Sequence, residues 1–287
     1  MKRDFSMKNK KKLILSVISV IIAIALYIFG EFNLLHIADG EAQLHFIDVG
    51  QGDAALILTD SASVLIDAGT TDSGGKVAAY VKNYTDSLDY MILSHPHEDH
   101  IGGASDVLET VSVKNVIMPN ETADSVCFDR TLDAIEKENA TVFPADAGDT
   151  YDIDGLNMEI LSPYADIEYE ETNNVSIVVK ITYGETSFLF TGDAESPIEE
   201  ELLKSGADLD CDVLKVGHHG SSTSSSRDFI EAVSPEIAVI SCGKDNSYGH
   251  PHYEVTKLMK EKNITTLRTD LQGSIVLSSD GYDITVK

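Results

Sequence analysis

Between His95 and His100 the chain reads HPHEDH, three histidines, a glutamate and an aspartate in six residues, and Gly102 and Gly103 follow. From a turn, His95 and His97 can aim two imidazoles at one cation, while Asp99 and His100 face a second cation or a polarised water. Imidazole plus carboxylate suits zinc, manganese or iron. A two-ion site also needs a shared carboxylate, and Asp193 in FTGDAE is set for that role. Two divalent ions roughly 3.5–4 Å apart clamp a phosphoryl or carbonyl group and activate water near neutral pH. An isolated loop histidine usually satisfies a local hydrogen bond and nothing more. H-x-H-x-D-H after an apolar run is different, because a single turn carries every one of these groups.

Such residues need elements to hold them, and the apolar runs supply candidates. Strands are expected at LHFIDV, AALILT, SVLIDAG, YMILS and NVIMP, a helix at ADSVCFDRTLDAIEKEN, then strands at MEILSP, SIVVKITYG, SFLFTGD and CDVLKVG. EIAVIS, a helix near YEVTKLMKEKN, TTLRT, GSIVLSS and YDITV complete the chain. The early strands follow one another as in hairpins and helices separate the later ones. This reads as one α/β domain with mixed sheets, from about Glu41 to Lys287. Polar residues recur where these strands end: Asp67 after SVLI, His95 after YMILS, Asp193 after SFLFTG, His218 and His219 after DVLKVG. Strand ends are where α/β folds place their sites.

HPHEDH is joined by FIDVGQGDA (46–54), LIDAG (65–69), FLFTGDAE (188–195), VLKVGHHGSSTSS (213–225), SYGHPH (247–252) and RTDLQGSI (268–275). Together these resemble the metallo-β-lactamase superfamily and, within it, the extracytoplasmic hydrolase domain of ComEC-type competence DNA-uptake proteins. The motifs come in order and cover nearly everything after residue 41. The resemblance implies an α/β fold of four layers, an αββα sandwich, with two divalent ions, Zn or Mn, at its sheet edges. It assigns His95 and His97 to one ion, Asp99 and His100 to the other, and Asp193 to the bridge, with Asp99 also acting in catalysis. One of His218 and His219 completes the second site and its neighbour lies near the substrate; the sequence does not choose between them. Asp67 is expected to order the histidine loop from behind the ligands, and Asp53 in GQGDA to lie near the site. No G-K-[ST] follows, so GQGD is not a phosphate loop.

The chain departs from the wider superfamily in one place. No histidine stands between His100 and Asp193, where a further ligand is expected. TNNVSIVV occupies that region, and Asn173 or Asn174 offers an amide oxygen instead. Amide oxygen in place of imidazole makes the first site harder, which favours manganese or weakly held zinc. His250 in YGHPH is expected to donate to a leaving-group oxygen or to orient substrate. His252 reads as a helix start and SSTSSS as a loop leading into a helix, while His36 and His45 receive no role. Cys127, Cys211 and Cys242 form no C-x-x-C pair and read as small buried residues.

Charge is unevenly distributed. Six of the 21 basic residues and one of the 48 acidic ones lie in the first twelve positions, so the remainder carries 15 basic against 47 acidic side chains. Such a surface repels nucleic acid and anionic membranes unless cations are bound locally. Leu13–Gly30 is a run of eighteen uncharged residues, which as a helix spans roughly 27 Å, close to the thickness of a bilayer core. The expectation is a basic cytoplasmic segment (1–12), a transmembrane anchor (13–30), a linker (31–40) and an extracytoplasmic hydrolase domain (41–287) on a single-pass, free-standing relative. A cleaved signal peptide ending near ADG, giving a secreted protein, is the rival. The leading reading is a membrane-anchored two-ion hydrolase of phosphodiesters, with single-stranded DNA as the substrate that the resemblance implies. The alternatives are hydrolysis of a small phosphodiester or other ester, or a binding or sensing module without turnover. A β-lactamase is weaker still, since fold does not fix function. No protein partner is indicated.

Overall fold

The first apolar runs pair with one another. In the computed structural model, which describes residues 37–287, β1 (Ala42–Phe46), β2 (Ala55–Leu58) and β3 (Ser63–Ile66) form an antiparallel meander. From β3 the sheet continues in parallel through β4 (Ser87–Ile92), β5 (Ser112–Met118) and β6 (Thr141–Pro144). Parallel neighbours need crossovers. These are α1 (Gly74–Lys82), then α2 (Glu98–Ile101) with α3 (Ala104–Thr110), then α4 (Val126–Glu138). The expected hairpin succession therefore stops at β3. Two glycines open α1, and its buried side, Val77, Ala78 and Val81, is short and small, so its helical period is faint in the sequence. α4 is plainer. Ser125 caps it by accepting the Phe128 N–H at 3.3 Å, and Asn139 ends it in the left-handed conformation.

The second sheet holds β7 (Thr150–Ile153), β8 (Leu156–Ser162), β9 (Val178–Tyr183) and β10 (Thr186–Phe190) in antiparallel order. Beside β10 run β11 (Val213–Lys215), β12 (Ile237–Ile240) and β13 (Thr265–Arg268), all parallel to it. Their crossovers are α5 (Ser196–Ser205), α6 (Arg227–Val233) and α7 (Tyr253–Glu261). After the single turn α8 (Thr269–Gln272), β14 (Ile275–Ser279) returns to the first sheet beside β1, and β15 (Ile284–Val286) borders it.

The inner faces of the two sheets meet in one apolar layer that includes Leu44, Phe46, Ile92, Val179, Phe188 and Val239. Phe46 and Phe190 stack across it with ring centroids 5.8 Å apart; truncating such a ring to alanine costs about 3–5 kcal/mol. The outer face of the second sheet is covered by Ile198 and Leu202 of α5, Phe229 and Ile230 of α6 and Met259 of α7, and α3 and α4 pack on β5 of the first. The result is helix, sheet, sheet, helix. Cys211 and Cys242 are buried as expected, whereas Cys127 on α4 is only half-buried; all three are free thiols.

Asp39–Lys287 is one compact unit. The expected basic segment, anchor and most of the linker lie outside the described residues. Among the described residues no helix is long and apolar enough to cross a membrane.

Candidate metal centre

The turn after β4 is built around one carboxylate. Asp67, just past β3, accepts the Ser94 backbone N–H at 2.7 Å, the Ser94 hydroxyl at 2.8 Å and the His100 Nδ1–H at 2.8 Å. Its own backbone is left-handed, with φ 57°. That conformation costs a non-glycine residue roughly 1–2 kcal/mol, which three hydrogen bonds to a buried anion offset. With Nδ1–H engaged, His100 presents Nε2 forward. Neighbouring loops are stitched to this turn through the backbone. Asp53 N–H donates to the Asp99 carbonyl at 3.0 Å, Ala68 N–H to the His100 carbonyl at 2.7 Å and Gly69 N–H to the Asp53 carbonyl at 2.7 Å. The approach is so close that a Cβ on Gly52 (φ 145°) would collide with the Asp99 carbonyl oxygen.

On the second sheet, the turns after β10 and β11 carry Asp193, His218 and His219. The Asp193 N–H donates to Ser176 Oγ at 3.1 Å. His218 and His219 are both left-handed, with φ 48° and 54°, and their rings address opposite oxygens of one carboxylate. Asp193 Oδ1 lies 3.2 Å from His100 Nε2 and 3.6 Å from His219 Nε2. Oδ2 lies 3.6 Å from His218 Nε2 and 3.9 Å from His95 Nε2. Two clusters result. Asp53, His100, Asp193 and His219 offer ligand atoms all within 4.8 Å of one another, and so do His95, His97 and Asp193.

The first cluster fits a divalent cation. Asp53 Oδ1, His100 Nε2, Asp193 Oδ1 and His219 Nε2 are each buried without a hydrogen-bond partner. One such atom costs about 1–3 kcal/mol; His100 Nε2 and His219 Nε2 face Asp193 Oδ1, Asp53 Oδ1 stands 3.4 Å from His219 Nδ1, and this nitrogen and oxygen donor set suits zinc or manganese. The electrostatics agree. Burial opposes ionisation of Asp193, yet His100, His219 and His95 hold its pKa well below the carboxylate range. Asp99 is lowered to about 2 against the cost of burial, through His219 and His100. Burial would lower His219, but Asp193 and Asp53 raise it to about 10. His95, buried and beside His100, is pushed well below the ordinary histidine value.

Asp53 and its counter-ion explain how so many carboxylates share this space. Lys215 Nζ donates to Asp53 Oδ2 at 2.7 Å and to the Val216 carbonyl at 3.0 Å, and the lysine side chain is only 4% exposed. Sequence reasoning missed this pair, whose members stand 162 residues apart; the available signal was a lysine inside the apolar run VLKVG. Asp99, expected among the ligands, stands outside both clusters with Oδ2 3.2 Å from His219 Nε2. The two asparagines separate. Asn174 Oδ1 accepts the Glu195 N–H at 3.1 Å, whereas Asn173 donates to Glu195 Oε1 at 3.4 Å and leaves its own oxygen buried and unpartnered. His218 Nδ1 is 3.4 Å from that same Glu195 oxygen. His250 lies over the pair, its ring 5.6 Å from His218 and 6.2 Å from His219. Gln51 Oε1 accepts the Gly243 N–H at 3.1 Å, so its amide nitrogen faces His250 Nδ1 at 3.4 Å. That contact places the His250 proton on Nε2. His252 occupies the N-cap position of α7, as a helix start should.

Comparison with known proteins accords with this geometry. The family profile described as Metallo-beta-lactamase superfamily matches residues 47–244. ComE operon protein 3 of Bacillus subtilis is 34% identical over 254 residues, 82% of this chain and 33% of that protein. Competence protein ComA of Neisseria gonorrhoeae is 34% identical over 86% of this chain and 34% of its own length, and Recombination protein 2 of Haemophilus influenzae 33% identical over 81% and 28%. The chain thus spans about a third of the length of these curated relatives. Among solved structures, the metallo-beta-lactamase fold protein YhfI from Bacillus subtilis superposes with a TM-score of 0.54 at 12% identity, over 79% of this chain and 95% of that one. CmlA, a diiron beta-hydroxylase from Streptomyces venezuelae, gives 0.57 at 14% identity, over 84% and 54%. These likenesses are of fold alone. With the profile covering most of the domain and a third of the residues shared with three competence and recombination proteins, the chain belongs to the metallo-beta-lactamase superfamily.

Proposed function

We propose that the protein is a two-ion phosphodiester hydrolase, held at the cell surface by residues 13–30. The observation that carries this reading is the set of four unpartnered buried ligand atoms around Asp193. Sequence similarity to competence proteins supports phosphodiesters over other esters. Asp53, His100, Asp193 Oδ1 and His219 would hold one ion, and His95, His97 and Asp193 Oδ2 the other. His218 faces Oδ2 and supplies an imidazole on the side where the superfamily's third histidine is lacking. With His218 there, zinc and manganese are both accommodated, and Asn173 offers a further oxygen.

When bound, the two ions polarise the phosphoryl group and activate water. The chain's own residues do the rest. Asp193 ties the two halves of the site through its two oxygens, and Asp67 fixes which nitrogen of His100 looks inward. His250, half-buried and beside three other histidines, is lowered to about 4. It therefore acts near pH 7 as a neutral Nε2–H donor towards a substrate oxygen, not as an imidazolium acid. The excess of acidic side chains outside the first twelve residues favours short phosphodiesters over long polyanions. A binding module without turnover is disfavoured, because His95, His97, His100, Asp193 and His219 all stand in the two clusters.

The test uses the full chain, with bis-p-nitrophenyl phosphate as substrate and manganese or zinc added. Turnover with about two ions bound per chain, and loss of both in Asp193→Asn, is the expected result. Ions bound without turnover under either metal would overturn the hydrolase reading in favour of the binding module.

A further inference from the structure

The segment Gly243–His250 carries an aromatic side chain that no packing need explains. Tyr248 is 66% exposed, yet its backbone is held from several sides. Asn246 Oδ1 accepts the N–H groups of Tyr248 at 3.1 Å and His250 at 3.0 Å, while its Nδ2 donates to the carbonyls of Gly243 at 2.8 Å and His250 at 2.6 Å. His252 accepts the Ser222 N–H on Nδ1 at 2.9 Å, which leaves Nε2–H to face the Tyr248 carbonyl at 3.3 Å. An exposed ring on a braced loop is preorganised for contact.

Its direction matters as much as its rigidity. The Tyr248 ring lies within 24° of parallel to His250 at 5.6 Å, and His250 within 29° of parallel to His219 at 6.2 Å. A row of near-parallel rings thus leads from solvent to the Asp193 cluster. An acidic surface cannot grip a polyanion through lysines and arginines, whereas a stacked base needs no counter-charge.

Resting on the phosphodiester reading, we propose that Tyr248 is a stacking platform for the nucleobase next to the scissile bond. The substrate is then a short nucleotide ester or a strand end, not a lipid or cell-wall phosphodiester. The His250 ring stands 5.6 Å from Tyr248 and 6.2 Å from His219, so a base on Tyr248 would turn its phosphate towards His250 and the ligands.

Stacking can be read without turnover. The probe is 2-aminopurine deoxyribonucleoside 5′-monophosphate, whose fluorescence is quenched by stacking, titrated into the metal-loaded full chain. Saturable quenching is expected in the wild type and in Tyr248→Phe, with binding weaker by on the order of 10-fold in Tyr248→Ala. Deoxyribose 5-phosphate, which lacks the base, should compete equally against wild type and Tyr248→Ala. Absence of quenching, equal quenching in Tyr248→Ala, or equal loss in Tyr248→Phe and Tyr248→Ala would each overturn the platform. Turnover of bis-p-nitrophenyl phosphate by the wild type is scored separately, so the hydrolase reading and the platform can fail independently.

Discussion

The two oxygens of Asp193 look onto differently built surroundings. On the Oδ1 side, both imidazoles are anchored from behind, His100 Nδ1 by Asp67 at 2.8 Å and His219 Nδ1 facing the Ser241 carbonyl at 3.1 Å. Their Nε2 atoms have no partner. On the Oδ2 side, Ser94 Oγ stands 3.1 Å behind His95 Nδ1 and Thr223 Oγ1 3.0 Å behind His218 Nδ1, but His95 Nε2 and His97 Nδ1 lie 3.0 Å apart and satisfy one another, and His97 is the least buried of its cluster. An ion on the first side meets ligands already in place; one on the second must first separate His95 from His97. Two ions should therefore bind in order, the tighter at Oδ1.

The largest effect is expected from breaking what permits the anchored side. Lys215→Met strands the Asp53 carboxylate in the interior and should cost about 3–5 kcal/mol of stability, measured by urea unfolding. Adding Asp53→Leu should restore most of it; a double variant no better than the single would show that the charge pair is not the cause.

Another buried histidine, away from the cluster, meets different neighbours. His45 also leaves Nε2 unpartnered, but its neighbours are the rings of Tyr80 and Tyr84, with Nδ1 2.9 Å from the Tyr80 hydroxyl. Burial, helped by Lys287, lowers its pKa to about 4. The unfolded chain, with histidine near 6.5, takes up the proton first, so this contribution is complete above that pH and fades as pH falls towards 4. The loss reaches about 3 kcal/mol. His45→Phe should flatten that portion of the stability profile and leave metal content unchanged. A profile as steep as the wild type would place the acid lability elsewhere.

The smallest effect probes the anchor alone. Asp67→Asn keeps a residue tolerant of the left-handed backbone but weakens the grip on His100. It should loosen the tighter ion roughly 10–100-fold and change the weaker one little, by chelator competition. Equal loosening of both would erase the distinction between the two sides.

Much of this is legible in one dimension. Asp67, His95, Asp193 and the His218–His219 pair stand at strand ends, and apolar runs mark strand ends clearly. The division of labour between His218 and His219 is not legible, because it depends on two consecutive left-handed residues that aim adjacent rings at opposite oxygens. Nor is the Asp53–Lys215 pair, since nothing local marks a lysine as buried until the partner sheet arrives. Helices α1, α3 and α5 escape a sequence reading for another reason. Gly-Gly opens α1, Gly103 precedes α3, and Pro197 with three glutamates fills the first half of α5, so their apolar faces are short enough to read as loop.

The pairing of β1 bears on how the chain can be handled. β1 has β2 on one side and, on the other, only β14, in register from Ala42 with Ser279 to Phe46 with Ile275. Every residue of β1, AQLHF, is buried, and none is an acid, a lysine or a proline. A chain cut before Ile275 would keep every proposed metal ligand and yet present that strand as a bare edge, which is a template for pairing with another copy. The C-terminal hairpin thus guards solubility, and trimming it should produce aggregates before it produces an inactive monomer.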